Sequence, residues 1–96
     1  TQITCNGRRA TIVGTAGRDV IHGTNGPDVI HSLGGNDIIF GRGGNDLICG
    51  GPGNDKLYGE DGRDRLDGGS GSDYCDGGSP ILGDAAKRCE KYHRIP

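Results

Sequence analysis

The residues best equipped for chemistry are aspartates, and they recur with a fixed period. Asp19, Asp28, Asp37, Asp46, Asp55, Asp64 and Asp73 follow one another at nine-residue intervals without a slip. A carboxylate brings negative charge and hard oxygen donors, which suit a hard cation. Transition metals prefer imidazole or thiolate, and the six-residue loops that lead into the aspartates lack both. Those loops are rich in glycine, so their backbone can bend and turn carbonyl oxygens toward a shared centre. Carboxylates stacked in rows would repel each other unless a cation lay between them.

The same period defines the elements that must carry these aspartates. Two residues after each comes an apolar side chain: Ile21, Ile30, Ile39, Ile48, Leu57, Leu66 or Cys75. Two residues before each comes Gly17, Gly26, Gly35, Gly44, Gly53, Gly62 or Gly71. Each unit divides into a six-residue loop, such as Gly50–Asp55, and a three-residue strand, such as Lys56-Leu57-Tyr58. Glycine at the first and fourth loop positions permits positive φ and close backbone approach. Strand side chains alternate, so the middle residue points inward and its neighbours outward. So short a strand is unstable alone, and the units must stack into a solenoid. The strict phase of Ile and Leu separates this pattern from a disordered Gly/Asn/Asp linker.

The pattern G-G-x-G-x-D-x-U-x resembles the RTX, or hemolysin-type, calcium-binding nonapeptide repeat. Gly50–Tyr58 matches it best, and the resemblance covers residues 14–79. It implies an all-β fold, a right-handed parallel β-roll (a β-solenoid) with two repeats per coil. Asp19, Asp37, Asp55 and Asp73 then line one edge, and Asp28, Asp46 and Asp64 the other. Loops on one edge would stack about 4.8 Å apart. Calcium ions would sit between them, held by Asp carboxylates and by carbonyls near Gly34, Gly41, Gly43, Gly50, Pro52, Gly59, Asp61, Gly68 and Ser70. The gaps between same-edge loops lead us to expect about five Ca2+, with folding coupled to their binding. Ser32-Leu33 departs from the leading Gly pair of its unit, and carbonyl ligands survive that change.

The ends break the pattern. Residues 1–13 keep an apolar strand residue at Ile12 but have Ala10 where Asp belongs, and read as an N-terminal cap. Residues 80–96 read as a C-terminal cap, with Pro80 in place of the loop glycine and a short helix over Asp84–Tyr92. Outward apolar residues fall early in the roll: Val20, Ile38 and Phe40 on one sheet, Val29 and Leu47 on the other. Residues 1–13 are the expected cover.

Composition narrows the rest. The chain has 96 residues with 21 Gly, no Trp or Met and only 30 % hydrophobic residues, so it has little from which to build an ordinary core. A formal net charge of −2 argues against a strongly basic nucleic-acid binder, and no apolar run reaches membrane-spanning length. Four cysteines in so short a chain suggest two disulfides and an oxidising compartment. Three connectivities are open to them. Cys5 and Cys89 at opposite ends of the roll would lie too far apart, Cys75 points inward and Cys49 outward. The expected pairs are therefore Cys5–Cys49 and Cys75–Cys89, pinning the two caps.

The expected function is calcium binding by a secreted structural or interaction module of a bacterial protein. It would be either a small stand-alone protein or one module of a longer toxin, protease or adhesin. No catalytic constellation is expected, since a carboxylate pair at Glu60 and Asp61 would need a cleft that a narrow roll lacks. His22 and His31 fall on opposite sheets and cannot share a zinc ion. The alternative is an adhesin-like surface- or ligand-binding module on the same scaffold, although no protein or glycan partner is identifiable from these residues.

Overall fold

The computed structural model describes residues 3–77 in full and the backbone of Ala85–Lys87 and Lys91–His93. All its regular elements are strands. Short segments Thr4–Cys5 (β1), Arg8–Arg9 (β2) and Ile12–Val13 (β3) come first. Seven three-residue strands in nonapeptide phase follow: Val20–His22 (β4), Val29–His31 (β5), Ile38–Phe40 (β6), Leu47–Cys49 (β7), Lys56–Tyr58 (β8), Arg65–Asp67 (β9) and Tyr74–Asp76 (β10). Ala85–Lys87 (β11) and Lys91–His93 (β12) complete the order.

The strands sort by parity into two parallel sheets, β4-β6-β8-β10-β12 and β3-β5-β7-β9-β11. Register holds the period: Ile21 pairs with Ile39, Ile39 with Leu57, Ile30 with Ile48 and Ile48 with Leu66. Two nonapeptides thus make one coil, in a parallel β-solenoid of about 4 turns. The middle residues Ile30, Ile39, Ile48, Leu57, Leu66 and Cys75 form one buried cluster between the sheets, with Ile12 and Ile21 packed against it. That row is thin. The backbone ladder from coil to coil, including Lys56 N–H to Asp37 O and Arg65 N–H to Asp46 O (both 2.8 Å), supplies much of the remaining cohesion.

The N-terminal segment covers one sheet rather than both. β1 and β2 form an antiparallel hairpin, and the Cys5–Cys49 disulfide (Cα–Cα 5.7 Å) clamps it to β7. Cys5, Leu47 and Cys49 make a second buried cluster with Val29 against it. On the other sheet Val20 is 60 % exposed, so that outer face lacks this cover. Its outward side chains instead stack on one another, His22 on Phe40 and Phe40 on Tyr58 at 5.0 and 5.1 Å.

Two expectations need correction. The helix expected over Asp84–Tyr92 is replaced, where the chain is described, by strands. Ala86 pairs with Leu66, and Tyr92 with Cys75. A helix this short is marginal by itself, whereas an open sheet edge offers a ready template of backbone donors and acceptors. The expected Cys75–Cys89 bridge has one partner outside the described residues; Cys75 itself is fully buried in the core row.

The second correction concerns glycine. Positive φ falls at the second and fourth loop positions, not the first: Leu33 (66°), Arg42 (67°) and Glu60 (64°) at the second, Gly53 (107°) and Gly62 (94°) at the fourth. At the fourth position the need is also spatial, because a Cβ on Gly53 would collide with the Gly35 carbonyl of the preceding coil. The first-position glycine answers to a different demand, which belongs to the site.

Candidate metal centre

The fold brings the seven aspartates into two columns, each member one coil from the next. Asp19 N–H donates to Asp37 Oδ1, Asp37 N–H to Asp55 Oδ1, and Asp55 N–H to Asp73 Oδ1, at 2.8, 2.9 and 2.8 Å. On the other edge Asp28 N–H donates to Asp46 Oδ1 and Asp46 N–H to Asp64 Oδ1, at 2.9 and 2.8 Å. In every carboxylate except those of Asp19 and Asp28, which open the columns, one oxygen is thereby fixed by the coil before it. The other is left facing the gap: Oδ2 of Asp37, Asp46 and Asp55 is buried and accepts no hydrogen bond. An ionised oxygen shut away from water without a donor is costly.

The first loop position explains what these oxygens face. A Cβ added at Gly50 would lie 2.7 Å from Asp55 Oδ2 and 3.0 Å from Gly68 O. One added at Gly41 would lie 2.6 Å from Asp46 Oδ2 and 3.0 Å from Gly59 O. Glycine therefore keeps open a small cradle bounded by a carboxylate of its own loop and a carbonyl of the next. Among the expected carbonyl ligands, those of Gly41, Gly50, Gly59 and Gly68 lie at this boundary. Gly34, Gly43, Pro52, Asp61 and Ser70 occupy the third position of their loops. Among the described residues no three His, Cys, Asp or Glu side chains converge. A cation held here would thus take a mixed set of Asp and carbonyl oxygens.

Electrostatics points the same way. Burial pushes the Asp46 carboxyl up to about 8 and Asp55 up to about 7. The amide hydrogen bonds from Asp28 and Asp37 oppose those rises, while the stacked carboxylates on either side add to them. Burial raises Asp37 as well. A divalent ion would reverse this balance, taking the place of the protons and cancelling repulsion along the column. An all-oxygen set of carboxylates and loop carbonyls fits Ca2+ better than Mg2+, which demands a near-ideal octahedron.

Several contributors were not anticipated from the sequence. Thr15 and Thr24, at the second loop position of the first two units, close their own loops. Thr15 N–H and Oγ1–H donate to the Asp19 carboxylate at 2.8 and 3.0 Å, and Thr24 does the same to Asp28 at 2.7 and 3.0 Å. Ser32 stands where other units have glycine, and its buried hydroxyl donates to Gly50 O at 2.8 Å. Asp67 and Asp76, at outward strand positions, are buried. His31 is half-buried and its Nδ1 accepts from Leu33 N–H at 3.0 Å. The threonines carried a readable signal, a hydroxyl four residues before an Asp. Burial of Asp67 and Asp76 had none, since neither is in the loop phase.

Stacked loops lined by buried carboxylates and carbonyls, on a scaffold with so thin an apolar core, define a cation-binding parallel β-roll. The chain belongs to the RTX calcium-binding nonapeptide repeat family, whose model matches in four copies over residues 13–48 and 50–79. A search of curated proteins and one of solved structures found no match.

Proposed function

We propose that the chain is a secreted, calcium-folded structural module. About five Ca2+ would lie between successive same-edge loops, three in the Asp19–Asp73 column and two in the Asp28–Asp64 column. The observation that carries this reading is the buried, donor-less Oδ2 of Asp46 and Asp55, each facing a glycine cradle. The Asp carboxylates are the charged ligands, and the loop carbonyls complete each shell. Residues 1–13 and 80–96 act as caps on the 14–79 roll, with Cys75–Cys89 pinning the second. Membership of a calcium-binding repeat family and the non-catalytic character of the solenoid support a binding role rather than an enzymatic one.

Extracellular calcium matches the energetics. A site with a dissociation constant near 10⁻⁴ M contributes about 1.4 kcal/mol at 1 mM calcium, and five such sites about 7 kcal/mol. That is comparable to the whole stability of a small domain. The Cys5–Cys49 bridge also suits an oxidising compartment.

The test is far-UV circular dichroism during a calcium titration of chelated, disulfide-intact protein, with calorimetry on the same sample. A cooperative gain of β-structure below millimolar calcium, not matched by magnesium, is expected. Asp55 serves two gaps, so D55N should raise the calcium midpoint about tenfold and lower the stoichiometry. No calcium heat in the wild type, or an unchanged midpoint in D55N, would sink the reading.

A further inference from the structure

On the edge that carries Asp28, Asp46 and Asp64, three arginines from separate elements converge. Arg8 lies in β2, Arg63 at the fifth position of the loop ending in Asp64, and Arg65 opens β9. With Asn45, Asp46 and Leu47 they line a cleft of about 290 Å³. Calcium ligation gives these guanidiniums no task. Among the described residues none of the three takes part in an ion pair, and all three are exposed.

Their placement is built rather than incidental. Arg8 is the hairpin partner of Cys5, so the Cys5–Cys49 disulfide fixes its backbone directly. Arg63 N–H donates to Asn45 Oδ1 at 2.8 Å, locking one coil to the next and leaving the Asn45 amide nitrogen as a further donor. Arg65 is the register partner of Leu47, which forms a buried apolar wall. The single carboxylate in the lining, Asp46, has Oδ1 committed to Asp28 N–H.

Three planar, permanently charged forks around one hollow suit a tetrahedral oxyanion, which accepts bidentate hydrogen bonds from guanidinium. The cleft sits at the lower end of small-ligand pocket volumes and has an apolar wall beside its donors. A sugar-sized carrier therefore fits better than a bare ion or a polymer.

We propose that the cleft lined by Arg8, Arg63 and Arg65 binds a sulfate or phosphate monoester carried on a sugar-sized molecule. The site needs the roll to be folded, and only in that respect rests on the calcium reading. A bound anion would bridge the N-terminal hairpin to two successive coils.

The experiment follows the arginine Nε–Hε signals by NMR in calcium-saturated, disulfide-intact protein at constant ionic strength. Glucose 6-sulfate, glucose 6-phosphate, sodium sulfate and glucose are titrated separately, and the far-UV spectrum of each sample is recorded. Saturable shifts at Arg8, Arg63 and Arg65 are expected with both esters, weaker with inorganic sulfate and absent with glucose. R63Q and R65Q should each weaken ester binding about tenfold, while R18Q, in a loop of the opposite edge, leaves it unchanged. Equal binding of sulfate and the esters would overturn the sugar-sized carrier. A folded β spectrum with unmoved or non-saturating signals, or full binding by R65Q, would overturn the site itself. A spectrum that stays unfolded in calcium would instead count against the calcium reading.

Discussion

Each stacked aspartate has its two oxygens in different circumstances, and acid–base behaviour follows from that. In Asp37, Asp46 and Asp55, Oδ1 is fixed by an amide of the preceding coil while Oδ2 has no donor. Burial accordingly raises Asp46 to about 8 and Asp55 to about 7 from 3.8. A carboxyl raised on folding holds its proton in the roll over a range where the unfolded chain has lost it. Its stabilising effect is complete below about pH 4, shrinks as pH rises, and is gone above the folded values of about 7 and 8. Chelated protein should therefore hold more β-structure at pH 5 than at pH 8.5. Calcium should remove that difference and bind more weakly at the lower pH, where protons compete. Circular dichroism at both pH values, with and without chelator, checks this; a calcium-free roll more stable at pH 8.5 would contradict it. The seven Asp positions were legible because charge and period coincide in them. The Ser32 hydroxyl on Gly50 O was not, because a serine in a glycine column reveals only that a side chain has been admitted.

At the scale of the element, each loop is two tight turns separated by function. From the third unit on, the second and fourth positions take positive φ, and a glycine at the first leaves room beside a carboxylate. Glycine at one site is consequently not equivalent to glycine at another. G53A should cost at least about 2 kcal/mol, since Gly53 has φ 107° and its Cβ would meet the Gly35 carbonyl. G17A holds the same place in the first unit, where φ is not positive and a Cβ has only Thr15 Oγ1 at 3.8 Å, and should be nearly neutral. Chemical denaturation of both variants at fixed calcium provides the comparison, and equal losses would refute the distinction. The strands from Val20 to Asp76 were readable because a single period places them all. β11 and β12 escaped because the period lapses while the sheets go on. Ala86 lies two residues further from its partner Leu66 than the usual separation of 18, and Tyr92 one residue nearer to Cys75. The Ala85-Ala86-Lys87 composition favours a helix locally, and only the waiting sheet edge overrides it.

Across the whole molecule, cohesion comes from three sources that act in different places: a single row of core side chains, the hydrogen-bonded ladder between coils, and the Cys5–Cys49 bridge. The bridge closes a sequence separation of 44, which in the chain-entropy account is worth about 4 kcal/mol. A C5A/C49A double variant should thus require more calcium to fold yet reach the same β spectrum at saturation. Calcium titration by circular dichroism measures this, and an unshifted midpoint would show that the hairpin contributes nothing to the roll. The pairing of Cys5 with Cys49 followed from which cysteine faces outward, but the one-sided cover it creates needed the full chain path. That bridge also has a mechanical consequence. Under tension applied at the two ends of the chain, the stretch from residue 5 to residue 49 cannot lengthen while the sulfur–sulfur bond is intact. The pull passes through the bridge and bypasses the coils within it. Only the coils beyond Cys49 can pay out their length, so an oxidised molecule would behave as a rigid head with an extensible tail, and reduction would make all of it extensible.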